Sequence, residues 1–283
     1  MPRVTLVLVA LAGVLAGGLG VSLYERQSTA PDEAEVRAVV ERVLAESASD
    51  EPAPVLPAVT QDEINPMIET YLMSDPKILQ RVSDRLDAQL KAEAADKNRA
   101  AITAMHDQIF NDPENIVVGN PAGDVTLVEM FDYNCTYCRA ALPDLATLVA
   151  EDPNLKVVLK EFPILSAQSL EAARVAVLVG DSDVDYWTFH QALFTGRGPV
   201  DGQTALTEAA SLGLDSADLQ TRMDSQKVTG TIQKSYDIAR ALNITGTPSY
   251  LIGDELIQGA VGLDALRERI SNMRACGKTI CEG

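Results

Sequence analysis

Two of the four cysteines stand three positions apart in Phe131-Asp132-Tyr133-Asn134-Cys135-Thr136-Tyr137-Cys138-Arg139, where an apolar strand pattern hands over to a helical one. Thiols at that spacing on the first turn of a helix can close a small disulfide ring. Their position makes them unequal. Unpaired backbone N–H groups and the helix dipole favour a thiolate at Cys135. Cys138, one turn in, points toward the core and stays protonated until needed. The expected chemistry is attack by the Cys135 thiolate on a disulfide sulfur, giving a mixed disulfide that Cys138 resolves; run backwards, the pair donates a disulfide. Other uses of the spacing stay open. Haem attachment would need a His where Arg139 stands. Zinc would need two more soft ligands, which Cys276 and Cys281 could supply. An inert structural bridge is the remaining option. Strand-to-helix placement favours redox chemistry over zinc, and zinc over an inert bridge.

Three further residues bear on that chemistry. Gly246-Thr247-Pro248 precedes a short apolar strand, and proline is barred from strand interiors because it donates no backbone hydrogen bond. A cis Pro248 would leave the Thr247 backbone free to pair with an extended peptide beside the thiols; the alternative is an ordinary trans turn proline. Glu129 lies inside an apolar strand on the face of Phe131, which is unfavourable without a partner. It is a candidate to shuttle the Cys138 proton, the alternative being a solvent-facing Glu near a strand end. Cys276 and Cys281 read as a structural clip on the C-terminus, with a second redox relay as the minor alternative. His106 and His190 are far apart and lack carboxylates at ligand spacing, so both are expected at the surface or in packing. Trp187, with Tyr186, Phe189, Leu193 and Phe194, is expected in a helical core.

The elements that must hold these residues follow from pattern. Short strands are predicted at 116–118, 125–131 and 156–162, with a helix over 136–150 making a strand–helix–strand unit. The nearly continuous apolar run Val125–Phe131 suits a sheet interior covered on both faces. Residues 167–226 are helical by pattern, broken at Gly180, at Gly196-Arg197-Gly198-Pro199 and at Gly213. A further helix runs to Leu242, strands follow at 249–252 and 255–258, and a last helix ends near Ala275.

The N-terminal third has a different texture. Arg3 precedes the uncharged run Val4–Tyr24, whose length is nearer the roughly 20 residues of a spanning helix than a signal core. Residues 1–24 are therefore expected to be an uncleaved anchor, with a cleaved signal as the alternative. Gly13 and Gly17 form a small-xxx-small pair there. Residues 25–60 read as a helix carrying Val36, Val39, Val40, Val43 and Leu44, followed by a Pro/Ala-rich linker through Pro52, Pro54 and Pro57. Residues 61–112 read as a helical association segment: Thr60 or Asp62 caps one helix, Asp75-Pro76 opens another, and Leu79, Val82, Leu86 and Leu90 form a narrow apolar stripe. Such a stripe must be buried on the following domain or on a second copy. The formal net charge of -18 argues against a nucleic-acid partner, which needs clustered Lys and Arg.

The order strand, C-x-x-C, helix, helical insertion, then Thr-Pro-strand-strand-helix resembles the DsbA-like thioredoxin-fold family. Asp112-Pro113-Glu114, Phe131-Asp132-Tyr133, Lys160-Glu161-Phe162-Pro163-Ile164 and Gly246-Thr247-Pro248 resemble its branch containing the suppressor-of-copper-sensitivity protein C and the Com1-type envelope proteins. The resemblance covers about residues 112–274, plus the helix with Tyr71-Leu72-Met73-Ser74-Asp75-Pro76. It implies an α/β thioredoxin fold over 113–283 with a helical insertion at about 167–226, preceded by an N-terminal helical segment. It also implies a periplasmic or envelope disulfide oxidant, reductase or isomerase that needs no cofactor or metal, with the N-terminal helices used for self-association. Its partners would be unfolded or misoxidised envelope proteins and a membrane redox partner; the tether to the inner membrane is expected from the N-terminal apolar run itself. By motif match, Cys135 is the nucleophile, Cys138 the resolving thiol and Pro248 the cis-proline. One departure is the ring itself. Family oxidants often place a His there, and this chain has Thr136 and Tyr137, so the direction shifts from oxidase toward isomerase or reductase.

Overall fold

The structure, a computed structural model, describes residues 32–47 and 60–281 and divides the chain into two compact units, Met1–Pro76 and Lys77–Gly283. In the first unit lie helices α1 (Glu33–Ser47) and α2 (Gln61–Ser74). Thr60 rather than Asp62 caps α2, its backbone N–H donating to the Glu63 carboxylate at 2.9 Å. Such a reciprocal cap satisfies a donor the first turn would otherwise leave unpaired. The apolar residues of α1 and the pair Met67 and Tyr71 on α2 are exposed. The predicted anchor or signal at 1–24, and the linker from 48 to 59, lie outside the described residues. Among the described residues no helix is long and apolar enough to cross a membrane.

The second unit opens with α3 (Lys77–Ala104). Its N-terminal half exposes the stripe Leu79, Val82, Leu86 and Leu90, whereas its last turns are docked. Ile102 is fully buried, and Arg99 Nε donates to Asp254 Oδ2 at 2.7 Å. The predicted association segment 61–112 thus spans the boundary between units, and its C-terminal end is part of the second unit's core. A single π-helical turn, Asp107–Asn111, follows and buries Ile109 and Phe110; the helical periodicity gave no sign of it.

Five strands form one sheet in the order β1 (Ile116–Gly119), β3 (Leu155–Glu161), β2 (Val125–Phe131), β4 (Ser249–Ile252), β5 (Glu255–Gln258). Only β2 and β3 run parallel, joined by α4 (Thr136–Glu151) as the strand–helix–strand pattern requires. Alternate residues feed opposite cores, the period-2 consequence of the pleat. Leu127, Phe131, Leu155, Val157, Leu159 and Tyr250 pack under α4, α10 (Leu263–Cys276) and the helical insertion. Val128, Met130, Val158 and Leu251 pack under Ile102, the π-turn and α9 (Gln226–Ala241). The insertion comprises α5 (Ala167–Gly180), α6 (Tyr186–Thr195), α7 (Gly202–Ser211) and α8 (Ser216–Arg222). Its breaks fall at the predicted glycines, and Gly213 takes a φ of +96° that side chains resist. Because β4 is antiparallel to β2 with Ser249 opposite Met130, residues 247–248 come to lie beside the exit of β2.

Candidate active site

At that exit the chain turns from β2 into α4 over four residues, and each of them is fixed. Asp132 is buried; its Oδ1 accepts the Asn134 N–H at 2.8 Å, an Asx-turn closing the bend. Its Oδ2 accepts the N–H groups of Ile164 and Leu165 at 2.9 and 3.0 Å. The Cys135 N–H donates to the Asp132 carbonyl at 3.0 Å. Cys135 is then the N-cap residue of α4, with its sulfur 3.4 Å from the Cys138 N–H. A sulfur at this point takes the place of the oxygen that usually satisfies the first-turn donors.

The two thiols are free and their environments differ. A hydrogen bond from the Cys138 thiol is the largest cause that draws Cys135 down to about 5, joined by the N–H groups of Cys138 and Tyr137, against the opposing effect of burial. Burial foremost, then the bond to Cys135 and the Glu129 charge, push the Cys138 thiol far up. The Cys135 thiol also donates to the Thr247 carbonyl at 3.2 Å, and the Thr247–Pro248 peptide is cis. Thr247 Oγ1 is buried there without a hydrogen-bond partner.

Glu129 is only 4% exposed and lies opposite Tyr250 in the sheet, so the solvent-facing alternative does not hold. Burial raises its carboxyl to about 8, Tyr250 pulling it back and Cys135 adding to the rise. Cys276 and Cys281 are bonded to each other, so they are not assembled with Cys135 and Cys138 into a four-thiolate set. Among the described residues no group of three or more His, Cys, Asp or Glu side chains is placed to hold a metal ion.

His106 is exposed beside Asp107 and Phe110. His190 is buried, stacked on Trp187 and held edge-on to Phe131, and burial lowers it to about 3. Its Nδ1 lies 3.2 Å from the Tyr133 hydroxyl, which meets the Tyr186 hydroxyl at 3.0 Å; Tyr186 in turn donates to Glu161 Oε1 at 2.8 Å. Burial foremost, with the neighbouring Asp132 adding to it, pushes Glu161 well above the usual carboxylate range. Sequence reasoning missed this chain of polar side chains, and also the contacts of Asn134 and Arg139. Only the Asx-turn had a local signal, the Asp-x-Asn preceding the first cysteine.

A thioredoxin-type sheet with a dithiol at the N-terminus of its crossover helix defines the class as a thioredoxin-fold protein. The chain belongs to the DSBA-like thioredoxin domain family, whose model matches residues 126–271. It is 30% identical over 149 residues to the thiol:disulfide interchange protein DsbA of Bordetella parapertussis, covering 49% of this chain and 68% of that protein. A thioredoxin-like oxidoreductase from Silicibacter pomeroyi DSS-3 superposes with a TM-score of 0.58 at 40% identity, covering 60% of this chain and 98% of its own. The catalytic domain of Proteus mirabilis ScsC does so with a TM-score of 0.56 at 26% identity, covering 62% and 98%. Curated relatives also include the Na+/H+ antiporter NhaA 1 of Salinispora arenicola, at 25% identity over 57% of this chain; the chain spans only 25% of that protein's length.

Proposed function

We propose that the protein exchanges disulfides with protein substrates through Cys135 and Cys138. The observation that carries this reading is the inequality of the two thiols. Cys135, drawn down to about 5, is a thiolate at neutral pH and attacks a substrate disulfide sulfur; the S–S bond breaks and its other sulfur leaves as a thiolate. Cys138 then loses its proton and attacks Cys135 in the mixed disulfide, releasing the substrate thiol and leaving the Cys135–Cys138 disulfide. Glu129, buried on the same side of the sheet and drawn up to about 8, suits the role of proton acceptor for Cys138. Thr247 and Pro248 position the substrate: the Thr247 carbonyl already points at the Cys135 sulfur. The Cys276–Cys281 clip, and the apolar run near the N-terminus, support an envelope location.

For direction we favour disulfide isomerase or reductase, with self-association through the exposed stripe of α3. Leu79, Val82, Leu86 and Leu90 recur at steps of three, four and four and are exposed among the described residues, as the residues of a helix–helix seam are before it forms. Misoxidised envelope proteins and a membrane redox partner complete the proposed cycle. One observation favours disulfide oxidase instead: a depressed Cys135 stabilises the dithiol form, which makes the disulfide more oxidising. Insulin reduction, repair of scrambled ribonuclease and solution mass test these readings together. Cys135→Ala must abolish turnover; a chain that stays monomeric and oxidises reduced peptides without repairing scrambled ribonuclease is an oxidase.

A further inference from the structure

We infer that Asn134 is a positioning residue for the Cys135 thiol, clasping the helical insertion so that the insertion sets how the start of α4 meets the sulfur. The inference rests on the dithiol reading above. Asn134 Oδ1 accepts the Val200 N–H at 2.8 Å, while Nδ2 donates to the Val200 carbonyl at 2.8 Å and to Ser169 Oγ at 3.1 Å. One carboxamide thus pairs with both backbone groups of a single buried residue, as a neighbouring strand would, and also holds the first turn of α5. Every donor of the amide is used, so it has no hydrogen to offer a substrate. On the other flank of the ring, Arg139 donates to the carbonyls of Phe194 and Gly196, the latter at 2.8 Å. Those carbonyls lie at the C-terminus of α6, where a cation is favoured.

The insertion therefore grips the ring from the residue before Cys135 and from the residue after Cys138. Between the two grips lies the 3.4 Å approach of the Cys138 N–H to the Cys135 sulfur. That separation is an ordinary one for an N–H meeting sulfur, and such a bond weakens steeply once its angle degrades. Releasing one grip lets the helix start drift from the sulfur and weakens the thiolate. The other groups acting on the sulfur are the Cys138 thiol, the Tyr137 N–H, the Thr247 carbonyl and, through its charge, the Glu129 carboxyl.

The test uses the full reduced chain. Cys135 is titrated by thiolate absorbance and by iodoacetamide alkylation against pH, with the thermal midpoint recorded alongside. Asn134→Ala should raise the Cys135 pKa by about one unit, an about fivefold loss of thiolate at pH 5. Val200→Ala trims the same segment but keeps its backbone groups, so it should lower the midpoint with Cys135 unmoved. Should Asn134→Ala fail to fold, Arg139→Met releases the other grip and should shift Cys135 in the same direction. An unchanged pKa in whichever of these folds, or an equal shift in Val200→Ala, overturns the inference. A parent whose Cys135 titrates as an ordinary thiol overturns the dithiol reading instead, so the two failures are distinct.

Discussion

The two cysteine pairs sit at opposite ends of helices. Cys135 caps the N-terminus of α4, where N–H groups converge on its sulfur. Cys276 closes the C-terminus of α10, just before Gly277, whose φ of +72° ends the helix in the left-handed conformation glycine tolerates. There carbonyls face the sulfurs: that of Lys278 lies 3.5 Å from the Cys276 sulfur and that of Asn272 lies 3.8 Å from the Cys281 sulfur. Amide N–H groups and the positive end of the dipole favour a thiolate; carbonyls and the negative end disfavour one. One residue type therefore serves two ends. The first pair is held as free thiols of unequal acidity and the second as a closed link.

The contrast breaks most readily on turnover. Cys135→Ala should cut insulin reduction by about 10³-fold or more, whereas Cys276→Ala with Cys281→Ala should leave it within about twofold; a large loss in the second variant would make the clip a relay. Next comes acidity. With Cys135 near 5, alkylation of the reduced protein should be half-maximal near pH 5, level above pH 7, and at pH 6 about 10²-fold faster than an ordinary thiol.

Stability against pH sharpens the same point through Glu129. Its folded value of about 8 lies above the ordinary 4.5, so its contribution is full below 4.5 and is lost as pH rises through 8. Cys135 runs the other way: its contribution is full above 9 and is lost as pH falls through 5. In the reduced protein the two oppose each other between pH 5 and 8. Glu129→Gln should remove its share of the fall with pH, leaving the fall owed to Glu161 against the rise from Cys135. The urea midpoint at pH 8 should then gain on that at pH 5 relative to the parent. The same variant should slow resolution of the mixed disulfide by about 10²-fold if the carboxyl accepts the Cys138 proton. The smallest effect belongs to the clip. Opening its short loop should lower unfolding free energy by about 2 kcal/mol on chain-entropy grounds, seen in thermal melts with activity intact.

Much of this was legible before folding, because the signals are local. The strand at 125–131 and the short strands at 249–252 and 255–258 fall where alternation and turn residues put them. β3 is shifted by one residue from its predicted 156–162, running from Leu155 opposite Val125 to Glu161 opposite Phe131. Glu129 shows where local reading stops. Its sequence neighbours allow a solvent-facing or a buried carboxylate, and only pairing with Tyr250 under α4 makes it buried. The chain from His190 through Tyr133 and Tyr186 to Glu161 joins residues up to 57 apart. No periodicity announces such a contact, because its partners share neither a helix face nor a strand.

Chain order alone placed a cysteine pair at a strand-to-helix turn, and with it the unequal thiols, since a helix N-terminus has the same free N–H groups wherever it occurs. It also marked Pro248 as the head of a strand and the stripe of α3 as a face needing cover. Tertiary structure decided what surrounds the pair. It brought the Thr247 carbonyl to the Cys135 sulfur, buried Glu129, and tied Asn134 and Arg139 to the insertion. Those contacts depend on sheet order and on how helices pack across tens of residues, and burial sets acidity through distances that only the folded chain defines.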